Sequence, residues 1–249
     1  MAAPEPTSFL PRAADPEARA AIPRRVPERI FTWAFGLVQW PWLLRSLSGG
    51  PDAARSALLA LIDLPDDTLP SLGSWKADAF FLRLVAEHVR SERPQSVVEL
   101  GAGATSLVAG RALQLWGGGS LVSFDQHAPF VAGTRDWLAR LGIPADLRVA
   151  PLGPPPPGWP GAWYQLANLP ERIDLLLVDG PPWTVHPFAR GAAECLFDRI
   201  PVGGVVMLDD AARPGERVIA ARWRRRWPGF RFRHVAGGTK GTLVGMRVA

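Results

Sequence analysis

The chain has 249 residues, 47% hydrophobic and 20% charged. That is ample for one large domain, or a domain with an added piece, and excludes a disordered composition. Its formal charge of +5 rests almost wholly on arginine, since Lys76 and Lys240 are the only lysines, and the single Cys195 excludes an internal disulfide. An arginine-, alanine-, glycine- and proline-rich balance of this kind is weak evidence for nucleic acid and is compatible with an acidic substrate.

The opening stretch, MAAPEPTSFLPRAADPEARA, sets prolines and acids where a secretory signal needs an unbroken apolar core. The most apolar early run, Ile30 to Leu44, holds Pro41 and is about fifteen residues long, short of the roughly 20 that a membrane span needs. A soluble, cytoplasmic protein with no transmembrane segment is therefore expected. Residues 1–28 read as a flexible lead-in, 29–74 as a helical extension and 75–249 as the main domain.

Arg29 to Leu47 is rich in aromatics, and Phe31, Phe35 and Val38 share helical spacing until Pro41, which is expected to end or kink the helix. Such a helix packs on the main domain or on a second subunit, making a homo-oligomer through the N-terminal helices. It could instead serve as a substrate lid or lie in a membrane interface. Ser56–Leu64 reads as a short helix and DLPDDTLPSLGS as a loop. Asp78–Arg90 is an amphipathic helix with Phe81, Leu84, Val85 and Val89 on one face.

From there strand and helix alternate. Strands are expected at Ser96–Leu100, Ser120–Phe124, Asp146–Ala150, Ile173–Val178, Gly204–Leu208, Arg231–Val235 and Thr242–Arg247. Helices are expected at Thr105–Leu115, Phe130–Leu141, Phe188–Arg199 and Glu216–Arg226, with a brief one at Trp163–Leu169 after the proline-rich excursion PLGPPPPGWPG. This pattern predicts an α/β fold: a Rossmann-like, doubly wound, mostly parallel seven-stranded sheet. Only AGGTKG separates the last two strands, too little for a parallel crossover, so they form a C-terminal antiparallel hairpin.

In such a sheet ligands sit beyond the carboxyl ends of the strands, where the first strand turns into its helix through Gly101, Ala102 and Gly103. Glycine there lets a ligand approach the main chain closely. A dinucleotide turn would carry a third glycine, where this chain has Ser106, and Glu99 two residues before Gly101 would repel a pyrophosphate. Glu99 suits the ammonium and sulfonium of S-adenosylmethionine, which disfavours an NAD-type oxidoreductase. Asp125 at the end of the second strand can accept from ribose hydroxyls in either cofactor class.

VVELGAGATS resembles motif I of the class I S-adenosylmethionine-dependent methyltransferases. The resemblance continues through LVSFDQ, IDLLLVDGPP, GGVVMLDDAARPGE and TKGTLVGM, from Trp75 to the C-terminus. WKADAF, APL with WY, and VDGPP with LDDAARPGE resemble more narrowly the group called methyltransferase family 24. The resemblance implies a cofactor site of Glu99, Gly101, Ala102, Gly103, Ser106, Asp125, Gln126 and Asp179. It also implies methyl transfer to an oxygen of a small-molecule acceptor, sugar- or polyol-like, and in similar proteins the Trp75-Lys76 segment lies over the methionine end of the cofactor.

In that fold Asp179 and the pair Asp209–Asp210 end neighbouring strands and converge. Carboxylates that close repel one another unless protons, arginines or a hard cation neutralise them. Their spacing resembles the metal-dependent catechol O-methyltransferase group, which implies Mg2+ on Asp179, Asp209 and Asp210, lowering the pKa of the acceptor hydroxyl. The bland alternative pairs Asp210 with Arg213 and leaves Asp179 in the Gly180 turn. The lysine base of the catechol enzymes is replaced by Pro182, so Asp179 and His186 are the catalytic candidates, and His127 is a cofactor-rim residue. Trp183 reads equally as a cleft wall and as packing, Trp163 and Tyr164 as core anchors or site neighbours.

ARWRRRWPGFRFR could pass for a nucleic-acid stripe, but Trp223 and Trp227 share one helix face and Phe230 and Phe232 alternate with arginine as on an edge strand, so no nucleic acid is expected. Cys195 is read as inert. The function class that competes with catalysis is a scaffold of the same fold whose N-terminal aromatic segment binds a partner or a membrane.

Overall fold

The computed structural model describes residues 26–73 and 76–249. Most of the expected lead-in, and Trp75, lie outside the described residues.

Seven strands form one sheet: β1 (Ser96–Leu100), β2 (Ser120–Asp125), β3 (Asp146–Val149), β6 (Leu175–Val178), β7 (Val205–Leu208), β8 (Phe230–Val235) and β9 (Thr242–Arg247). Their order is β3-β2-β1-β6-β7-β9-β8. All neighbours are parallel except β9, which runs antiparallel to both β7 and β8. The chain winds outward from β1 to β3 and then crosses back to β6 on the other side of β1. The switch point therefore falls between β1 and β6, where such sheets bind ligands. SVVEL, LLLV and VVML are near-continuous apolar runs because these strands are covered on both faces. Val97, Leu175, Leu177, Val205 and Met207 join one core cluster, and Val98, Leu176, Val178, Val206 and Leu208 the other, as strand alternation requires.

Helices α1 (Val26–Ser46), α2 (Asp52–Leu61), α3 (Ala79–Glu92), α4 (Ala104–Ala112), α5 (Ala128–Arg140) and α6 (Pro214–Arg226) accompany the sheet. Asp78 caps α3 by accepting from Phe81 N at 2.8 Å, and also accepts from Thr239 N at 2.7 Å, which ties the β8–β9 loop to the start of that helix. Trp223 is fully buried and meets Phe197 edge-on at 4.9 Å, so the aromatics of the arginine-rich segment are packing groups, with β8 at the sheet edge.

Three local expectations need correction. Trp163–Leu169 is not a helix: Trp163–Tyr164 (β5) pairs antiparallel with Leu152–Gly153 (β4), and Gln165 N donates to Pro151 O at 2.9 Å. A distant partner and two aromatics of high strand preference override the local pattern. Ala189–Arg199 is a 3-10 helix rather than an α-helix. Helix α1 runs through Pro41 to Ser46. The carbonyl that Pro41 leaves without a donor is that of Leu37, and both residues are exposed on the outer face, where water can serve it. Among the described residues, no helix is long and apolar enough to cross a membrane.

Candidate active site

The turn from β1 into α4 is built on a relay. Ser106 Oγ, in place of a third glycine, accepts from Gly103 N at 2.9 Å and donates to Glu99 Oε2 at 2.5 Å. Glu99 is fully buried, and its second oxygen, Oε1, has no hydrogen-bond partner among the described residues. Burial pushes its carboxyl up to about 8, although Ser106 and Ser123 pull it down, and Asp179 and Asp125 add to the rise. Gly101 adopts φ 104, and a Cβ there would stand 2.7 Å from Gly180 N, so the ends of β1 and β6 touch backbone to backbone.

Asp125 ends β2. Its Oδ1 accepts from His127 N at 2.8 Å, yet burial carries the carboxyl up to about 7. The neighbouring Gln126 buries an unpartnered Oε1. His127 caps α5, its Nδ1 accepting from Phe130 N at 3.2 Å. Tyr164 closes the crevice from below: a Cβ on Gly180 would lie 2.1 Å from its hydroxyl. That hydroxyl is buried without a partner among the described residues, and burial raises its pKa well above the ordinary phenol value. Glu99, Asp125 and Asp179 thus feel one another's charge across one crevice.

Asp179, Asp209 and Asp210 converge as the spacing implied, with one oxygen of each lying within 4.8 Å of the others. Three side-chain cations already stand among them. Arg190, from the 3-10 helix, donates to Asp210 Oδ2 at 2.8 Å, to Asp179 Oδ1 at 3.3 Å and to the Asp179 carbonyl. Arg213 pairs with Asp210 Oδ1 at 2.9 Å. Lys240, from the β8–β9 loop, lies 3.5 Å from Asp210 Oδ1 and 3.8 Å from Asp209 Oδ2, and donates to the Lys76 carbonyl at 2.7 Å.

Burial pushes the Asp210 carboxyl up, but Arg213, Lys240 and Arg190 outweigh it and hold it well below the usual range. Burial, reinforced by Asp210, drives Asp209 far the other way. Glu216, 3.8 Å from Arg190, is raised by burial to about 7. Asp210, held ionised, and Asp179, which burial raises although Arg190 and Lys240 pull it down, therefore face three cations. This donor set does not fit a divalent ion: both Asp210 oxygens are engaged, and a metal would stand beside Lys240 and two guanidinium groups.

The side chain of Asp179 is the accessible member of the trio, 12% exposed against 0% for Asp209 and 2% for Asp210. His186 lies beneath α1, its ring stacked on Phe31 at 5.5 Å and its Nδ1 accepting from Phe188 N at 3.1 Å. Trp183 is half-buried against α1, where a Cβ on Gly36 would come within 3.0 Å of its ring. Cys195 is exposed. Sequence reasoning missed Arg190 and Lys240. The one available signal was that Lys240 is one of only two lysines in a chain so dependent on arginine.

Solved structures with this architecture are similar at low identity. A SAH-bound methyltransferase of Podospora anserina is 13% identical with a TM-score of 0.57, over 92% of this chain and 99% of that one. An O-methyltransferase from Bacillus cereus in complex with SAH is 14% identical with a TM-score of 0.54, over 80% and 92%. The O-methyltransferase TomG of Streptomyces achromogenes, involved in tomaymycin synthesis and in complex with SAM, is 17% identical with a TM-score of 0.52, over 92% and 100%. The likeness is one of fold: this chain has the class I methyltransferase fold. No protein-family model and no curated protein matches it, so the narrower likeness to methyltransferase family 24 rests on the motifs alone.

Proposed function

We propose that the protein transfers a methyl group from S-adenosylmethionine to an oxygen of a small-molecule acceptor, and does so without a bound Mg2+. The observation that carries this reading is the crevice at the switch point. Glu99 and Asp125 are buried there, with the partly exposed Asp179 within reach of their charge, and the first two are raised to about 8 and about 7. Buried carboxyls held that high await a cation. S-adenosylmethionine supplies one, together with an electrophilic methyl group on its sulfonium.

Each residue then has a task. Glu99 and the Gly101–Gly103 backbone hold the amino-acid end, Ser106 fixing Glu99 in place. Asp125 accepts from the ribose hydroxyls, with Gln126 and the Tyr164 hydroxyl as further polar partners. Asp179, accessible and oriented by Arg190, takes the proton that the acceptor hydroxyl loses as its oxygen gains the methyl group. Lys240, Arg190 and Arg213 supply the neutralising charge that a metal would otherwise bring, and His186 stays a packing residue under α1. A carboxylate base with a half-buried indole four residues further along the chain suits a sugar- or polyol-like ring, which offers a hydroxyl edge and a C–H face.

Equilibrium dialysis against S-adenosylmethionine labelled in its methyl group tests the proposal. The full-length protein should retain one equivalent and Glu99→Gln far less. No retention by the unaltered protein overturns it.

A further inference from the structure

Helix α1 lays Phe31 and Phe35 on His186 and Phe188, yet the residues it buries most deeply are polar: Thr32, Gln39 and Ser46, seven residues apart. Thr32 Oγ1 and both amide atoms of Gln39 lack a hydrogen-bond partner among the described residues. The face turned away carries Ile30, Trp33, Leu37, Trp40 and Leu44, continued by Leu47 in the turn just past the helix, each between 48% and 71% exposed. A helix whose apolar groups were meant only for its own domain would present the opposite arrangement.

The outward residues follow one another at spacings of three, four, three, four and three, the a/d repeat of a helix–helix seam. On the order of 700 Å² of surface belongs to these six side chains, at the upper limit of the apolar patches that monomers expose. Two such faces together would bury up to roughly 1,400 Å², inside the range of stable interfaces.

We infer that this seam joins two copies of the chain, α1 against α1, antiparallel about a two-fold axis. The order of residues selects that arrangement. Antiparallel a/d layers set Ile30 against Leu47, Trp33 against Leu44 and Leu37 against Trp40 of the second copy, so every indole faces a leucine. A parallel pair would set Trp33 on Trp33 and Trp40 on Trp40. The antiparallel seam is thus self-complementary, as an isologous contact must be. A lipid surface fits less well, because an interfacial helix shows water a charged face, whereas here the polar face is buried and only Arg29 and Arg45 flank the apolar one.

Sedimentation equilibrium of the full chain tests the seam. The unaltered protein should have the mass of two chains, and Leu37→Glu and Trp40→Glu the mass of one with the circular dichroism spectrum of the unaltered protein, because both positions are exposed in the single chain. In a Cys195→Ser background, Trp33→Cys with Leu44→Cys should form an interchain disulfide and Trp33→Cys alone should not. A monomeric unaltered protein, a dimer that survives both glutamates, cross-linking by Trp33→Cys alone, or binding of the unaltered monomer to phosphatidylserine vesicles each overturns the inference.

Discussion

Lys240→Met is the most informative single change in the acidic cluster. The lysine side chain is 1% exposed, and its ammonium lies 3.5 Å from Asp210 and 3.8 Å from Asp209. Asp209 is driven toward its neutral form by burial and by Asp210, so the ionised Asp210 dominates the attraction. At an effective dielectric constant of about 20, a pair at that separation gains roughly 4–5 kcal/mol of Coulomb energy. Methionine keeps the stem's packing and deletes the charge, and stripping one partner from a buried ion pair costs about 3–5 kcal/mol. In a chain of this size that lowers Tm by about 6–20 °C, read by calorimetry or circular dichroism. Arg190 and Arg213 hold both Asp210 oxygens, so millimolar Mg2+ should leave the Tm of the unaltered protein where it was. A variant as stable as its parent, or a parent that Mg2+ itself stabilises, would refute the assignment of Lys240 as the resident cation.

Tyr164→Phe removes a buried hydroxyl that lacks a partner, so Tm should hold or rise while S-adenosylhomocysteine affinity falls about fivefold, by the usual worth of one hydrogen bond. Unchanged affinity by calorimetry would remove Tyr164 from the site. Gly101→Ala must hold a side chain at φ 104 with its Cβ 2.7 Å from Gly180 N, and should cost more than about 2 kcal/mol in urea unfolding. Glu99 carries a pH signature. Its folded pKa of about 8 lies above the ordinary value of 4.5, so its contribution to stability is fully present below pH 4.5 and is lost as pH rises through 8. Tm should thus fall between pH 5 and pH 9 more steeply in the unaltered protein than in Glu99→Gln. Because a cationic ligand favours ionised Glu99, titrations near pH 6.5 in buffers of different ionisation enthalpy should report release of about one proton. Proton uptake, or none, would count against Glu99 meeting the cation.

The sheet was legible because β1, β6 and β7 are apolar runs buried on both faces, and because AGGTKG is too short for a crossover. Legibility ended where a segment's conformation depends on a distant partner. Trp163–Tyr164 is a strand only because Leu152–Gly153 lies beside it, and α1 passes through Pro41 only because the freed carbonyl faces water. The acids of the cluster could be read from their positions at strand ends. Of their neutralising cations, Arg213 could be read three residues after Asp210, but Arg190 and Lys240 could not, since they arrive from separate elements with no spacing in common. The acids left a metal and an arginine pairing both open. The helical spacing of Phe31, Phe35 and Val38 was visible, but which face would turn inward was decided by contacts with Trp183, His186 and Phe188.

On the proposed reading the carboxyls of the crevice receive a cationic cofactor, while those of the cluster are already neutralised by side chains. Calorimetric titration of S-adenosylhomocysteine into the full-length protein, in EDTA and again in millimolar Mg2+, tests it most directly. Binding with the same affinity in both is expected, with no heat from Mg2+ added to the saturated protein. No binding, or an affinity that changes by about tenfold or more with Mg2+, would contradict it.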